Sequence, residues 1–99
     1  VMGHTACGAV AGAIAGAELG SLTALLSKIR PAVEAAEFSG ERSAGNPAFV
    51  DAVAKKHVEL TIDLIRERSP VLSGLEGQGA LKIAGAMYDI GTAEVEFLG

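Results

Sequence analysis

The sequence predicts an α/β fold: a mainly parallel sheet reached over helical crossovers and closed by an antiparallel hairpin. Three observations carry this. Val1 to Gly3 is a short β-type run that turns into small residues of helical character. Two long segments then place apolar residues at helical spacing, Leu22 to Val33 and Val50 to Ile65. The chain closes on two β-type runs separated by Gly91-Thr92-Ala93. A strand on each side of a helical region favours a parallel pair with a crossover, and two neighbouring strands favour a hairpin. The 99 residues make one small domain.

Element by element, Val1 to Gly3 is expected to be the end of a buried strand, and His4 to Gly8 a turn. Ala9 to Leu19 continue as a small-residue helix that stops near Gly20. Ser21 can cap a second helix, with Leu22, Leu25, Leu26, Ile29 and Val33 as its apolar stripe and Pro31 as a kink or restart. Glu37 to Gly45 is a polar loop, the best candidate for exposure and proteolysis. Asn46-Pro47 starts a long helix, with Asn as N-cap and Pro at the first helical position. Its inner stripe is Val50, Val53, Ala54, His57, Val58, Thr61, Leu64 and Ile65, and Asp51, Lys55, Glu59, Asp63, Arg66 and Glu67 lie mostly outside. Ser69-Pro70 ends it. Val71 to Gly79 is a glycine-rich turn or short helix. Ala80 to Ile90 is expected to be a strand. Glu94 to Leu98 is another, with Val95 and Phe97 inward and Glu94 and Glu96 outward.

Composition narrows the function. The chain is 49% hydrophobic but 4% aromatic, so its core is aliphatic and small. A net charge of −4 with scattered lysines and arginines disfavours nucleic acid, which needs clustered cations. One cysteine excludes an internal disulfide. Gly8, Gly12, Gly16 and Gly20 recur every four residues in an apolar stretch, as on a membrane helix. Glu18, the helix-weakening glycines and the missing aromatic belt argue instead for a buried helix. No basic segment precedes an apolar run. The expected compartment is the cytoplasm, or the periplasm where an upstream signal has been removed.

Gly3-His4-Thr5-Ala6-Cys7-Gly8 holds the single cysteine and one of two histidines. A strand-to-helix corner lets His4 and Cys7 reach one metal ion, and the helix N-terminus favours a thiolate. From spacing alone the pair reads two ways: two ligands of a zinc ion, or a buried cysteine beside a hydrogen-bonded histidine. Cys7 as a metal-free thiol switch is a further reading. His57, in the inner stripe, reads as a packed core histidine. Asp63 and Arg66 read as a surface ion pair.

GHTACGAV resembles the second zinc motif of the β-class carbonic anhydrases. Leu22 to Ala36 (LTALLSKIRPAVEAA) resembles the helix that follows in bacterial members, and Asn46 to Leu72, ending in SPVL, the next long helix. Ile83 to Leu98 (IAGAMYDIGTAEVEFL) is similar to the family's closing G-x-x-Y-D-x-x-x-G-x-V hairpin, with Ala93 where Gly is frequent. His57 stands where members often have Asn. The resemblance covers nearly the whole chain, in order.

The resemblance implies reversible, zinc-dependent hydration of carbon dioxide to bicarbonate. The family's zinc takes two cysteines and one histidine, with a fourth position for water or an aspartate. His4 and Cys7 match two of these ligands. The Gly8 amide matches a position facing the substrate. Tyr88 matches a tyrosine that lines a bicarbonate pocket in some members; as an isolated residue it reads as a strand tyrosine with its hydroxyl at the surface. The family's first motif, C-x-D-x-R, does not occur in the sequence. It carries the remaining cysteine and the Asp-Arg pair that orients the water, so no catalytic residue of that pair is present. The expectation is a single domain over residues 1–99, incomplete on its N-terminal side, with a site completed by another segment. Members are usually dimers or larger, so a homo-oligomer is expected; a non-catalytic oligomerisation fragment of the same fold is the alternative.

Overall fold

The computed structural model describes residues 1–18 and 20–98. The elements run β1 (Met2–His4), α1 (Gly8–Ala15), α2 (Leu22–Ala35), α3 (Pro47–Arg68), α4 (Pro70–Gly77), β2 (Gly85–Asp89) and β3 (Glu94–Leu98). The three strands form one sheet in the order β1-β2-β3. β1 and β2 are parallel, with His4 opposite Tyr88, and β2 and β3 are antiparallel, with Tyr88 opposite Val95. The α/β architecture with its helical crossover and closing hairpin is therefore present.

α3 is the spine. Asn46 caps it by accepting the Ala48 N–H at 3.2 Å, and Pro47 supplies a first-turn residue that needs no N–H partner. Phe49, Val50, Val53, Ala54 and Val58 are buried along it. The first four meet Val10 and Ala13 of α1 and Leu26, Ile29 and Ala32 of α2 in one mainly aliphatic core. The sheet lies on the other flank of α3, where a Cβ at Gly3 or at Gly85 would come within about 3 Å of Val58. Two bare backbone positions thus let two strands sit directly on the helix.

The polar loop after α2 is exposed as expected, but tied down. Arg42 donates to the carbonyls of Ala36 (2.9 Å) and Val33 (2.7 Å), closing the C-terminal end of α2. Its guanidinium stands 4.7 Å over the Phe49 ring, which also meets Phe38 at 5.3 Å between centroids.

Several expectations are corrected. α1 stops at Gly16, whose φ of 70° suits a left-handed C-cap, and not near Gly20; Leu19, placed in that helix by the sequence, lies outside the described residues. Ser21 has helical dihedrals and makes no capping bond. Leu22 and Leu25 are exposed, because the buried line of α2 is Leu26, Ile29 and Ala32. Pro31 does not break α2; it is exposed, and water can satisfy the carbonyl left unbonded one turn back. Leu64 of the long helix is exposed. The strand expected over 80–90 is only Gly85–Asp89.

The sheet departs most from expectation. Cβ atoms on Gly3 and Gly85 point to α3, so their sheet neighbours Met2, His4, Ala86, Tyr88, Val95 and Phe97 share the opposite face. No helix among the described residues packs there. Met2 is consequently exposed, not buried, and Val95 and Phe97 are not inward: Met2 is 61%, Val95 50% and Phe97 75% exposed; Val1, just before β1, is exposed too. Glu94 and Glu96 share the face of Met87, but β3 lies beyond the reach of α3 and both are exposed too. No described helix is long and apolar enough to cross a membrane.

Candidate metal centre

β1 ends at His4, and Cys7 is the N-cap of α1. The two side chains therefore flank the C-terminal end of a parallel strand, where open α/β sheets gather their ligands. The turn between them is held from two sides. Thr5 N–H donates to the Tyr88 carbonyl at 3.0 Å, and Thr5 Oγ1 accepts from Ile90 N–H at 3.1 Å. Ala6 adopts a left-handed φ of 52°, and its N–H donates to Asp51 Oδ1 on α3 at 3.0 Å.

His4 Nδ1 lies 2.8 Å from the carbonyl of Thr5. A carbonyl only accepts, so Nδ1 carries the proton and Nε2 keeps a lone pair for a ligand. Cys7 is half-buried, and its side chain makes no capping bond. Both residues line one cleft of about 290 Å³, walled by Val10, Ile29, Ala54 and Val58. His57 lines it as well, half-buried, and burial pushes its imidazole pKa below the ordinary 6.5. Imidazole and thiolate are the donors zinc prefers. Among the described residues, however, no three His, Cys, Asp or Glu side chains cluster to hold a metal ion. The chain offers the cleft two donors of the right kind, and His57 does not supply a third.

Gly8 opens on a smaller hollow of about 220 Å³, lined also by Ala6, Cys7, Ala11, Ala44, Pro47 and Val50. A Cβ at Gly8 would meet nothing within 4 Å, so the fold does not require glycine there. Tyr88 shares a sheet face with His4 and is half-buried, but lies outside the lining of the cleft. Asp63 and Arg66 stand at 4.0 Å on the surface, and Arg66 makes its closer bonds, both 2.8 Å, to Glu76 of α4.

The family model described as carbonic anhydrase matches residues 1–95. The chain belongs to the β-carbonic anhydrase family. Solved structures of that family share the fold. One of two tetrameric β-carbonic anhydrases from the filamentous ascomycete Sordaria macrospora superposes with a TM-score of 0.79 at 24% identity, over 99% of this chain and 50% of that one. The β-carbonic anhydrase CafA of Aspergillus fumigatus gives 0.77 at 27% identity, over 98% of this chain and 46% of its own. The β-carbonic anhydrase CcaA gives 0.70 at 17% identity, over 100% and 53%. The chain thus spans about half the length of the carbonic anhydrase structures it matches. Among curated proteins no sequence is similar enough to count as a match.

One residue at this centre is missed by the sequence reading. Asp51 was assigned to the solvent face of α3, yet its carboxylate reaches the His4–Cys7 turn. A signal existed. Positions 51, 54 and 58 follow helical spacing, which puts Asp51 on the buried line of Ala54 and Val58. An acid on a buried line needs a hydrogen-bond donor.

Proposed function

We propose that His4 and Cys7 are two protein ligands of a zinc ion in a carbonic anhydrase site that reversibly hydrates carbon dioxide to bicarbonate. At least one further ligand, and the group that orients the water, come from outside residues 1–99. The observation that supports this most is the donor pair itself, an Nε2 lone pair and an unengaged thiol on one cleft at a strand end.

Zinc, when bound, supplies Lewis-acid activation of water toward carbon dioxide, lowering the water's pKa to about 7. The chain's own residues have distinct tasks. The Thr5 carbonyl fixes the His4 tautomer, so that Nε2 faces the ligand. Cys7, as the N-cap of α1, holds its thiol at the edge of the cleft with no capping bond to engage it. Gly8 leaves room beside Cys7 for a small apolar molecule such as carbon dioxide, and its amide, at the first helical position, is available to an oxygen of bicarbonate. Tyr88 contributes its backbone carbonyl to the turn, and its ring stands on the sheet face of His4.

The test is zinc content and hydration rate of the 99-residue chain. Weak, substoichiometric zinc, lost further in Cys7→Ser, with no hydration above background is expected. Stoichiometric zinc with fast hydration by the chain alone would overturn the incomplete site.

A homo-oligomer is proposed with it, since Met2, Val95 and Phe97 crowd one uncovered sheet face and the Sordaria relatives are tetrameric. The same face supports the second reading, a non-catalytic assembly fragment. Zinc bound through Cys7 separates the two.

A further inference from the structure

We infer that Asp51 is a positioning residue for the ligand-bearing turn: its carboxylate sets the backbone of Ala6, and through it the relative placement of His4 and Cys7. The inference rests on the zinc reading above. Four observations carry it. Asp51 lies in the second turn of α3, the rigid spine of the fold, and is half-buried. Its Oδ1 accepts from Ala6 N–H at 3.0 Å, across 45 residues of sequence. Ala6 sits between the two donor residues with a left-handed φ of 52°, which an alanine adopts only when its surroundings impose it. The other bonds to the turn reach Thr5, from Tyr88 and Ile90 of the sheet side.

The turn is therefore clamped between sheet and helix. The sheet fixes its first half, next to His4, and Asp51 fixes its second half, next to Cys7. A carboxylate accepting from a backbone amide makes a charge-assisted bond, stronger than a neutral acceptor gives. Without it Ala6 can relax to negative φ, which rotates the following peptide and moves Cys7 relative to His4. Two donors held in register bind a metal more tightly than two that must first be brought together. Outer groups that orient ligands typically change metal affinity about 10–100-fold when removed.

The experiment titrates cobalt(II) into the chain and into Asp51→Ala and Asp51→Asn, reading the thiolate-to-cobalt charge-transfer absorbance, with urea unfolding of each variant alongside. Asn keeps an acceptor oxygen for Ala6, whereas Ala removes it. Cobalt affinity should fall at least about tenfold in Asp51→Ala and recover most of the loss in Asp51→Asn. Amide exchange of Ala6, measured without metal, should quicken in Asp51→Ala only. Parent-like affinity in Asp51→Ala overturns the inference. So does an equal loss in both variants that tracks a shared drop in stability. No charge-transfer band from the parent chain overturns the zinc reading itself, and this inference with it.

Discussion

A Cβ built on Gly85 would lie 2.9 Å from both Val58 Cγ1 and Ile62 Cδ1. Ile62 can swing its terminal methyl aside, but Val58 is buried, β-branched and held to one rotamer on its helix. Gly85→Ala must therefore push β2 off α3. It should cost about 1–3 kcal/mol, the usual range for a methyl inserted into a packed core. Urea unfolding measures this, and an unchanged midpoint would show that the sheet does not rest on Val58. Legibility at this scale was uneven for a physical reason. His4 and Cys7 could be named because their side-chain chemistry is rare in this sequence. Gly85 could not, because its role depends on which helix lies above it, and Asp51 was marked only by its helical spacing from the buried Ala54 and Val58.

At the scale of the element, helix ends were read well where a side chain or proline writes them locally. Asn46-Pro47 and Ser69-Pro70 bound α3, and Ser69 accepts from Leu72 N–H at 3.2 Å to start α4. Strand length and facing were read poorly, because they depend on partners far along the chain; β2 is a strand only where β1 and β3 pair with it. α4 buries none of its residues and is tied to α3 by the bidentate Arg66–Glu76 pair. The bond from Arg66 holds the Glu76 carboxyl below its ordinary 4.5, so the folded state binds fewer protons there than the unfolded state. The contribution of the pair is present above pH 4.5 and is lost as pH falls through the lowered value. Acidification should thus release α4 ahead of the core, seen as faster amide exchange over 70–77 with α3 still protected. Arg66→Ala should produce the same local release at neutral pH. Exchange over α4 that is indifferent both to acid and to Arg66→Ala would show that the pair does not hold this helix.

For the whole molecule, the decisive asymmetry is a sheet with α3 on one face and no described helix on the other. Among the described residues the first strand and the last each have an unpaired edge, and Phe97 is 75% exposed on the open face beside Val95. Exposed apolar sheet faces next to free edges favour association over isolation. A second copy of this chain is the occupant proposed above. Covering a Phe side chain contributes about 1.5–3 kcal/mol, and in a symmetric contact each copy contributes one. Phe97→Lys should therefore weaken self-association at least about tenfold, which corresponds to about 1.4 kcal/mol. Folding should be affected less than association, because Phe97 is 75% exposed and Ala86, its register partner, is the buried residue it adjoins on that face. Glu96→Gln is the control: it changes charge by the same sign, one residue away, on the face that looks toward α3. Sedimentation equilibrium over a range of concentrations reads the outcome. Association by the parent, loss in Phe97→Lys and retention in Glu96→Gln place the contact on the open face. A parent chain that stays monomeric at every concentration, or equal loss in both variants, removes this face as the contact between copies.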